Sequence, residues 1–333
     1  MNFVTPRERV LAALNLEKLD RPPVGIVTQS ATIDQMNAVG VSWPEAHSDP
    51  QLMAKLAAAA TDLGLETIRI PFDLTAEAEL FGATVDLGKV DRTPMLKAHP
   101  FDSESEPVIP EDPHQGRPGV VIEATKILKE QYGKEYPIVV GIAGPFTLAG
   151  HLVETGNLLL WCITEPDTVK KFVQAATDFE VKYVKALIEA GADVIVIVDP
   201  SASTDMMHPD MFNVFAAPYI KQIVEACGST KNILHICGNT TPLLENMIAT
   251  GTSAVSIEEK VSPSSAVDIV AGRVALVGNV GVVKPLFMGN AEQSFEETKK
   301  VVDAGFNLVA PGCGLAAKVP KANLEAMVKA VKG

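Results

Sequence analysis

The chain has 333 residues, 47% of them apolar and 21% charged, which is enough to bury a large core and excludes a disordered or fibrous protein. A net charge of −13 opposes binding to a phosphate backbone, because nucleic-acid binders present a basic face; only a local basic pocket for a small anion stays open. Residues 1–10 carry no signal-type apolar run, and stretches such as Pro137 to Phe146 fall short of the ~20 residues that span a bilayer, so a soluble cytoplasmic protein is expected, with no membrane or nucleic-acid partner.

The first element is a helix: Thr5-Pro6-Arg7-Glu8 reads as an N-cap, a proline at the first helical position and a capping-box glutamate, followed by Val10, Leu11 and Leu14 at helical spacing. After Asp20-Arg21-Pro22-Pro23 a pattern begins that repeats to the end, a buried-looking strand and then a helical stretch. The strand candidates are Val24–Thr28, Thr67–Ile70, Ile138–Gly144, Val194–Asp199, Ile233–Cys237, Ala254–Glu258, Val274–Val280 and Leu308–Pro311. Their nearly continuous apolar character suits strands covered on both faces. The helices between them include 167–190, 209–227, 241–250, 291–304 and 321–331, several stopped by a glycine (Gly191, Gly228, Gly251, Gly305). The acidic, proline-rich stretch 101–118 lacks periodicity and reads as a surface excursion.

About eight strand–helix units predict an α/β protein, a single (β/α)8 TIM barrel filling residues 1–333. The rival doubly wound sheet lacks support, since no G-x-G-x-x-G opens a helix after the first strand and no phosphate-binding loop motif occurs.

In Ile233-Leu234-His235-Ile236-Cys237, His235 and Cys237 stand two apart on a strand and point to the same side. Cys313, in Ala310-Pro311-Gly312-Cys313-Gly314, follows the last strand between glycines that let the backbone turn. All three lie at C-terminal strand ends, where barrel enzymes place their sites. Imidazole plus two thiolates suits zinc, and three protein ligands with an open fourth position is the catalytic arrangement. The bland alternative is a core histidine and two buried hydrophobe-like cysteines. Cys162 and Cys227 have no ligand-type partner at useful spacing and read as structural.

Glu258, ending the sixth strand, is a candidate displaceable oxygen ligand or hydrogen-bond partner of His235, with Glu259 competing for the role and a plain surface carboxylate equally open. Asp199, after a five-residue apolar run, fits a catalytic or outer position at the mouth, or a helix cap. Arg69 sits in an apolar strand where a charge is expensive to bury alone; its partner is either an anionic substrate or a carboxylate such as Asp73 or Glu66. Gln29 and Asn279 are mouth residues by position only.

The stretches Leu234-His235-Ile236-Cys237-Gly238-Asn239, Val255-Ser256-Ile257-Glu258-Glu259-Lys260, Val277-Gly278-Asn279-Val280 and Ala310-Pro311-Gly312-Cys313-Gly314 resemble the uroporphyrinogen decarboxylase superfamily, and within it most of all the methylcobamide:coenzyme M methyltransferases. Further similarity runs through Trp43 to His47, Gly144 to Thr147 and Gly191 to Val194, so it covers nearly the whole chain. The resemblance implies a barrel of the uroporphyrinogen decarboxylase type, with one Zn2+ per chain on His235, Cys237 and Cys313 and with Glu258 as fourth ligand. The decarboxylase branch is disfavoured: Val24 to Ser30 lacks its arginine-rich propionate-binding signature, and Cys313 stands where a glycine-flanked histidine is expected.

What that resemblance implies for function is a transferase moving a methyl group from a methyl-Co(III) corrinoid, carried as methylcobamide by a separate protein, to the thiol of coenzyme M, in methanogenesis from methylated one-carbon compounds. The rivals are a different acceptor (another thiol or tetrahydrofolate), a demethylase acting on a methylated ether, amine or sulfide, and a non-catalytic metal-binding barrel.

Overall fold

The structure is a computed structural model that describes residues 5–333. The expected first helix spans Pro6–Leu14, with the Thr5 side chain accepting from the Glu8 N–H and the Glu8 carboxylate accepting from the Thr5 N–H. The strands are β1 (Ile68–Ile70), β2 (Thr84–Asp86), β3 (Met95–Ala98), β4 (Ile138–Ala143), β5 (Val194–Val198), β6 (Lys231–His235), β7 (Ala254–Ile257), β8 (Ala275–Val280) and β9 (Leu308–Pro311). Seven form one parallel sheet in the order β1-β4-β5-β6-β7-β8-β9, while β2 and β3 make a separate antiparallel hairpin.

The expected first strand, Val24–Thr28, is reduced to a single parallel bridge from Val24 to Val309, yet it closes the barrel. The Gly25 N–H donates to Val309 O and the Val309 N–H to Pro23 O, both at 3.0 Å, joining this segment to β9. On its other side the Glu66 N–H donates to Val24 O at 2.7 Å, and Thr67 Oγ1 accepts from the Ile26 N–H at 2.8 Å. The segment stands where an eighth strand would, with the Thr67 side chain replacing part of a ladder.

Alternation along each strand then sorts the core. Val139, Val194, Val196, Val198, Ile233, Ala254, Val277, Leu308 and Ala310 fill the barrel, and Val10 and Leu14 of the first helix pack against them from the N-terminal end. Ile138, Val140, Ile195, Ile197, Leu234, Val255 and Ile257 belong to the layer packed on the surrounding helices. His235 alternates with Ile233, so it faces inward at the C-terminal end. Helices follow the strands, as at Pro145–Val153, Pro166–Ala190 and Ala291–Ala304.

Five further expectations need correction. The strand expected at Ile233–Cys237 runs Lys231–His235, so Cys237 lies just past its end. The stretch 209–227 is two helices, Pro209–Phe215 and Ala217–Cys227, and 241–250 opens as a 3-10 turn before Leu244–Ala249. The excursion ends at residue 115, because the helix Gly116–Tyr132 has begun; it is strapped down by Lys171 Nζ donating to Ser105 O (2.9 Å) and the Phe101 N–H donating to Leu152 O (3.1 Å). Gly228 stops its helix with φ 57° and ψ −118°, outside the left-handed helical region that Gly191 and Gly305 adopt. Among the described residues no helix is long and apolar enough to cross a membrane.

Candidate metal centre

Barrel closure brings β6 and β9 chemistry to one point. The Cys237 sulfur lies 3.3 Å from His235 Nε2 and 3.2 Å from the Cys313 sulfur, and all three ligand atoms fall within 4.8 Å of one another. His235 is fully buried at the end of β6; both cysteines are half-buried and unpaired. Register fixes the imidazole: His235 stands opposite Ser256 on β7, and its Nδ1 is 3.0 Å from Ser256 Oγ. The tautomer donating from Nδ1 to Ser256 leaves the Nε2 lone pair aimed at the thiols. The turn carrying Cys313 is held by Thr28 Oγ1, which donates to Cys313 O at 2.8 Å.

Soft sulfur and imidazole donors converging in this way, with the histidine's other nitrogen already occupied, fit a zinc-class ion. Among the described residues no other His, Cys, Asp or Glu atom joins the cluster. The two thiols are electrostatically unlike: the hydrogen bond from Cys237, and then His235, pull Cys313 down toward thiolate, whereas that same bond and burial push Cys237 up. A bound cation would displace the thiol protons and leave both sulfurs as ligands.

Beside the sulfurs is a cavity of about 350 Å3, lined by both cysteines with Gln29, Asp73, Thr75, Thr93 and His151 among others. This is room for a small molecule. Burial holds the His151 imidazole down to about 4, so it is neutral, and its Nδ1 has no hydrogen-bond partner.

Of the residues singled out in the sequence, Gln29 lines this cavity. Glu258 lies beside the cluster but outside it: its carboxylate accepts from the Gly238 N–H, one residue past Cys237, and is 3.7 Å from Lys260 Nζ. His235 Nδ1 is hydrogen-bonded to Ser256 and not to Glu258. Asn279 is turned away from the thiol cavity, its amide donating to Val261 O (2.8 Å) and Glu258 O (3.3 Å), where it braces the Glu258 loop. Asp199 is fully buried and accepts from the Thr147 N–H (2.8 Å), Thr147 Oγ1 (2.6 Å) and the Phe146 N–H (3.3 Å), so it caps the helix Pro145–Val153 that carries His151. Burial raises it to about 6.

Arg69 points into the barrel interior, where Gly141 leaves room for its guanidinium. Neither carboxylate proposed for it hydrogen-bonds it, since Glu66 binds Arg21 through two 2.8 Å bonds and Asp73 binds Arg117 at 3.0 Å with His47 at 3.2 Å, but Asp73, together with Glu77, favours its charged form electrostatically. All three guanidinium nitrogens of Arg69 lack a hydrogen-bond partner among the described residues. Ser256, Thr28 and His151 were not visible as site residues in the sequence. The one available signal for Ser256 was a polar residue inside an otherwise apolar strand.

Residues 5–333 match the family described as uroporphyrinogen decarboxylase (URO-D). The chain is 41% identical to the methylcobamide:CoM methyltransferase MtbA of Methanosarcina acetivorans, covering all of this chain and 99% of that one. It is 36% identical to the methylcobamide:CoM methyltransferase MtaA of Methanosarcina barkeri, over 99% and 98% of the two chains. A solved structure described as a methyltransferase from Methanosarcina mazei superposes with a TM-score of 0.94 at 39% identity, covering 98% of each chain.

Proposed function

The chain belongs to the uroporphyrinogen decarboxylase (URO-D) family, and from that premise we propose that it is a zinc-dependent methyltransferase moving a methyl group from a methylated corrinoid to the thiol of coenzyme M. We read residues 1–333 as one barrel domain and the methyl donor as methylcobamide carried by a separate protein. The names of the relatives support the transfer and both substrates. The single observation that carries the reading is the meeting of His235, Cys237 and Cys313 at a cavity of small-molecule size.

His235, Cys237 and Cys313 would hold the zinc, with Glu258 assigned to the fourth position when no acceptor is bound. Zinc supplies Lewis acidity that keeps an acceptor thiol deprotonated at neutral pH, where a free alkyl thiol with a pKa of ~8.5 is mostly protonated. The acceptor sulfur forms a bond to the methyl carbon as the carbon–cobalt bond breaks, both electrons of that bond staying on cobalt, which goes from Co(III) to Co(I). The thiol proton leaves to solvent before transfer.

Around that chemistry the chain positions the acceptor. Gln29 and His151 offer hydrogen bonds from the cavity wall, and Arg69 supplies positive charge from the barrel interior toward the acceptor's anionic end. Asp199 acts as a positioning residue that anchors the His151 helix, and Asn279 acts in the same way on the Glu258 loop. The test is zinc content with methyl transfer from free methylcobalamin to coenzyme M. One zinc per chain and turnover are expected, with both lost in Cys237→Ala; undiminished turnover in Cys237→Ala or in zinc-free protein overturns the proposal.

A further inference from the structure

A second concavity shares no lining residue with the thiol cavity and is unlike it in character. It has a volume of about 740 Å3 and lies between the helix Thr155–Thr164 and the segment after β5, walled by Leu159, Leu160, Ile163, Met206, Met207 and Met211. Leu160, Ile163 and Met206 are 58%, 78% and 46% exposed, a concentration of solvent-facing apolar side chain that marks an interaction site rather than ordinary surface. Methionine suits a surface that must mould to a large, irregular apolar body.

The rim of the groove touches the turn that follows Cys237. Thr204 Oγ1 donates to Asn239 O at 2.7 Å, and the Asp205 carboxylate lies directly against Gly238, the residue after Cys237. Lys260 Nζ ties the same rim together, 3.3 Å from Asp205 and 3.7 Å from Glu258. Anything seated in the groove therefore borders the turn that carries the first thiol.

Size separates the two spaces. The cavity of about 350 Å3 takes a small thiol, but a corrin macrocycle exceeds a drug-sized ligand and cannot enter it. Its methyl group must approach from the mouth with the ring lying outside. We propose that this groove is the docking surface for the corrin ring of the methyl donor, the apolar wall covering the ring's edge and the rim groups Thr204, Asp205 and His208 meeting its uncharged amide side chains. The assignment rests on the methyl-transfer reading above.

The probe is free methylcobalamin, its affinity measured by equilibrium dialysis against the zinc-loaded protein and its KM measured in the transfer assay. In the double variant Ile163→Glu, Met206→Glu, affinity for methylcobalamin is expected to fall, and its KM to rise, by tenfold or more, with zinc content and the KM for coenzyme M unchanged. Both positions are exposed, so the fold should tolerate the change. A control variant, Met288→Glu, alters a separate exposed apolar stretch following β8, which includes Val283 and Phe287, and is expected to bind normally. Unchanged affinity in the double variant, no binding to the wild type, or a loss that follows Met288→Glu instead overturns the groove. Binding that depends on Ile163 and Met206 without methyl transfer in the wild type would sustain the groove and overturn the functional reading.

Discussion

Arg69 shows how a single side chain can be informative by what it lacks. Burial lowers its pKa to about 9, so it is still charged at neutral pH, and none of its nitrogens has a partner among the described residues. Asp73 and Glu77 favour its charged form without hydrogen-bonding it, which leaves buried donors unsatisfied, and a binding site is one reason to retain such a group. In Arg69→Met the KM for coenzyme M is expected to rise about tenfold, equivalent to ~1.4 kcal/mol, with the KM for uncharged 2-mercaptoethanol unchanged. Steady-state kinetics with the two thiols check this, and an equal change for both would assign Arg69 to structure. The metal ligands were readable in the sequence because imidazole and thiol are rare enough, and their spacing on a strand regular enough, to announce themselves. Ser256 was not, because its meeting with His235 depends on the register between β6 and β7, which neither strand's own residues reveal.

At the scale of elements, apolar runs gave β4, β5, β7, β8 and β9 to within one residue at each end, since a strand covered on both faces needs no polar alternation, whereas β6 lies two residues earlier than its apolar run and leaves Cys237 past its end. The break inside 209–227 had a signal that periodicity overrode: Pro218 has no N–H and disfavours a helical residue before it, and the first helix ends with Ala216 at φ −123° and ψ −55° as the cap. The hairpin of β2 and β3 was not legible, being short, half-polar and tied by local bonds such as Asp86 with Arg92 (2.9 Å). Asp199 shows an element borrowing its cap from elsewhere in the chain. The helix Pro145–Val153 begins with Gly144, which has no side chain to offer, and the β5 carboxylate takes over its first N–H groups. Because burial raises Asp199 from 3.8 to about 6, its protonated form favours folding. That contribution is complete below the unfolded value and is lost as pH rises through about 6. The stability deficit of Asp199→Asn should therefore shrink between pH 5 and about 6 and stay constant above; urea unfolding across that range measures it, and a deficit that grows with pH contradicts the assignment.

Over the whole molecule, barrel closure makes the site. Cys313 and the His235–Cys237 pair are brought together because the β-sheet curls until residues 23–26 bridge β9 to the edge at β1, and Thr28 then pins the Cys313 turn from that closing segment. The barrel itself was legible from the count and apolar character of the strands, whereas the closing segment looked like a strand and turned out to use side-chain bonds from Glu66 and Thr67 in place of a ladder. The first helix adds Val10 and Leu14 to the bottom of the interior, leaving the C-terminal end as the place where polar chemistry and a cavity coincide.

The central claim is that an ion held by one imidazole and two thiolates leaves a position for the acceptor's sulfur, and zinc K-edge X-ray absorption of the loaded protein, without and with coenzyme M, tests it most directly. The expected result is two sulfur neighbours and one imidazole in the resting protein, rising to three sulfur neighbours when the thiol is added. A zinc environment without sulfur, or one whose sulfur count does not change on adding coenzyme M, would contradict it.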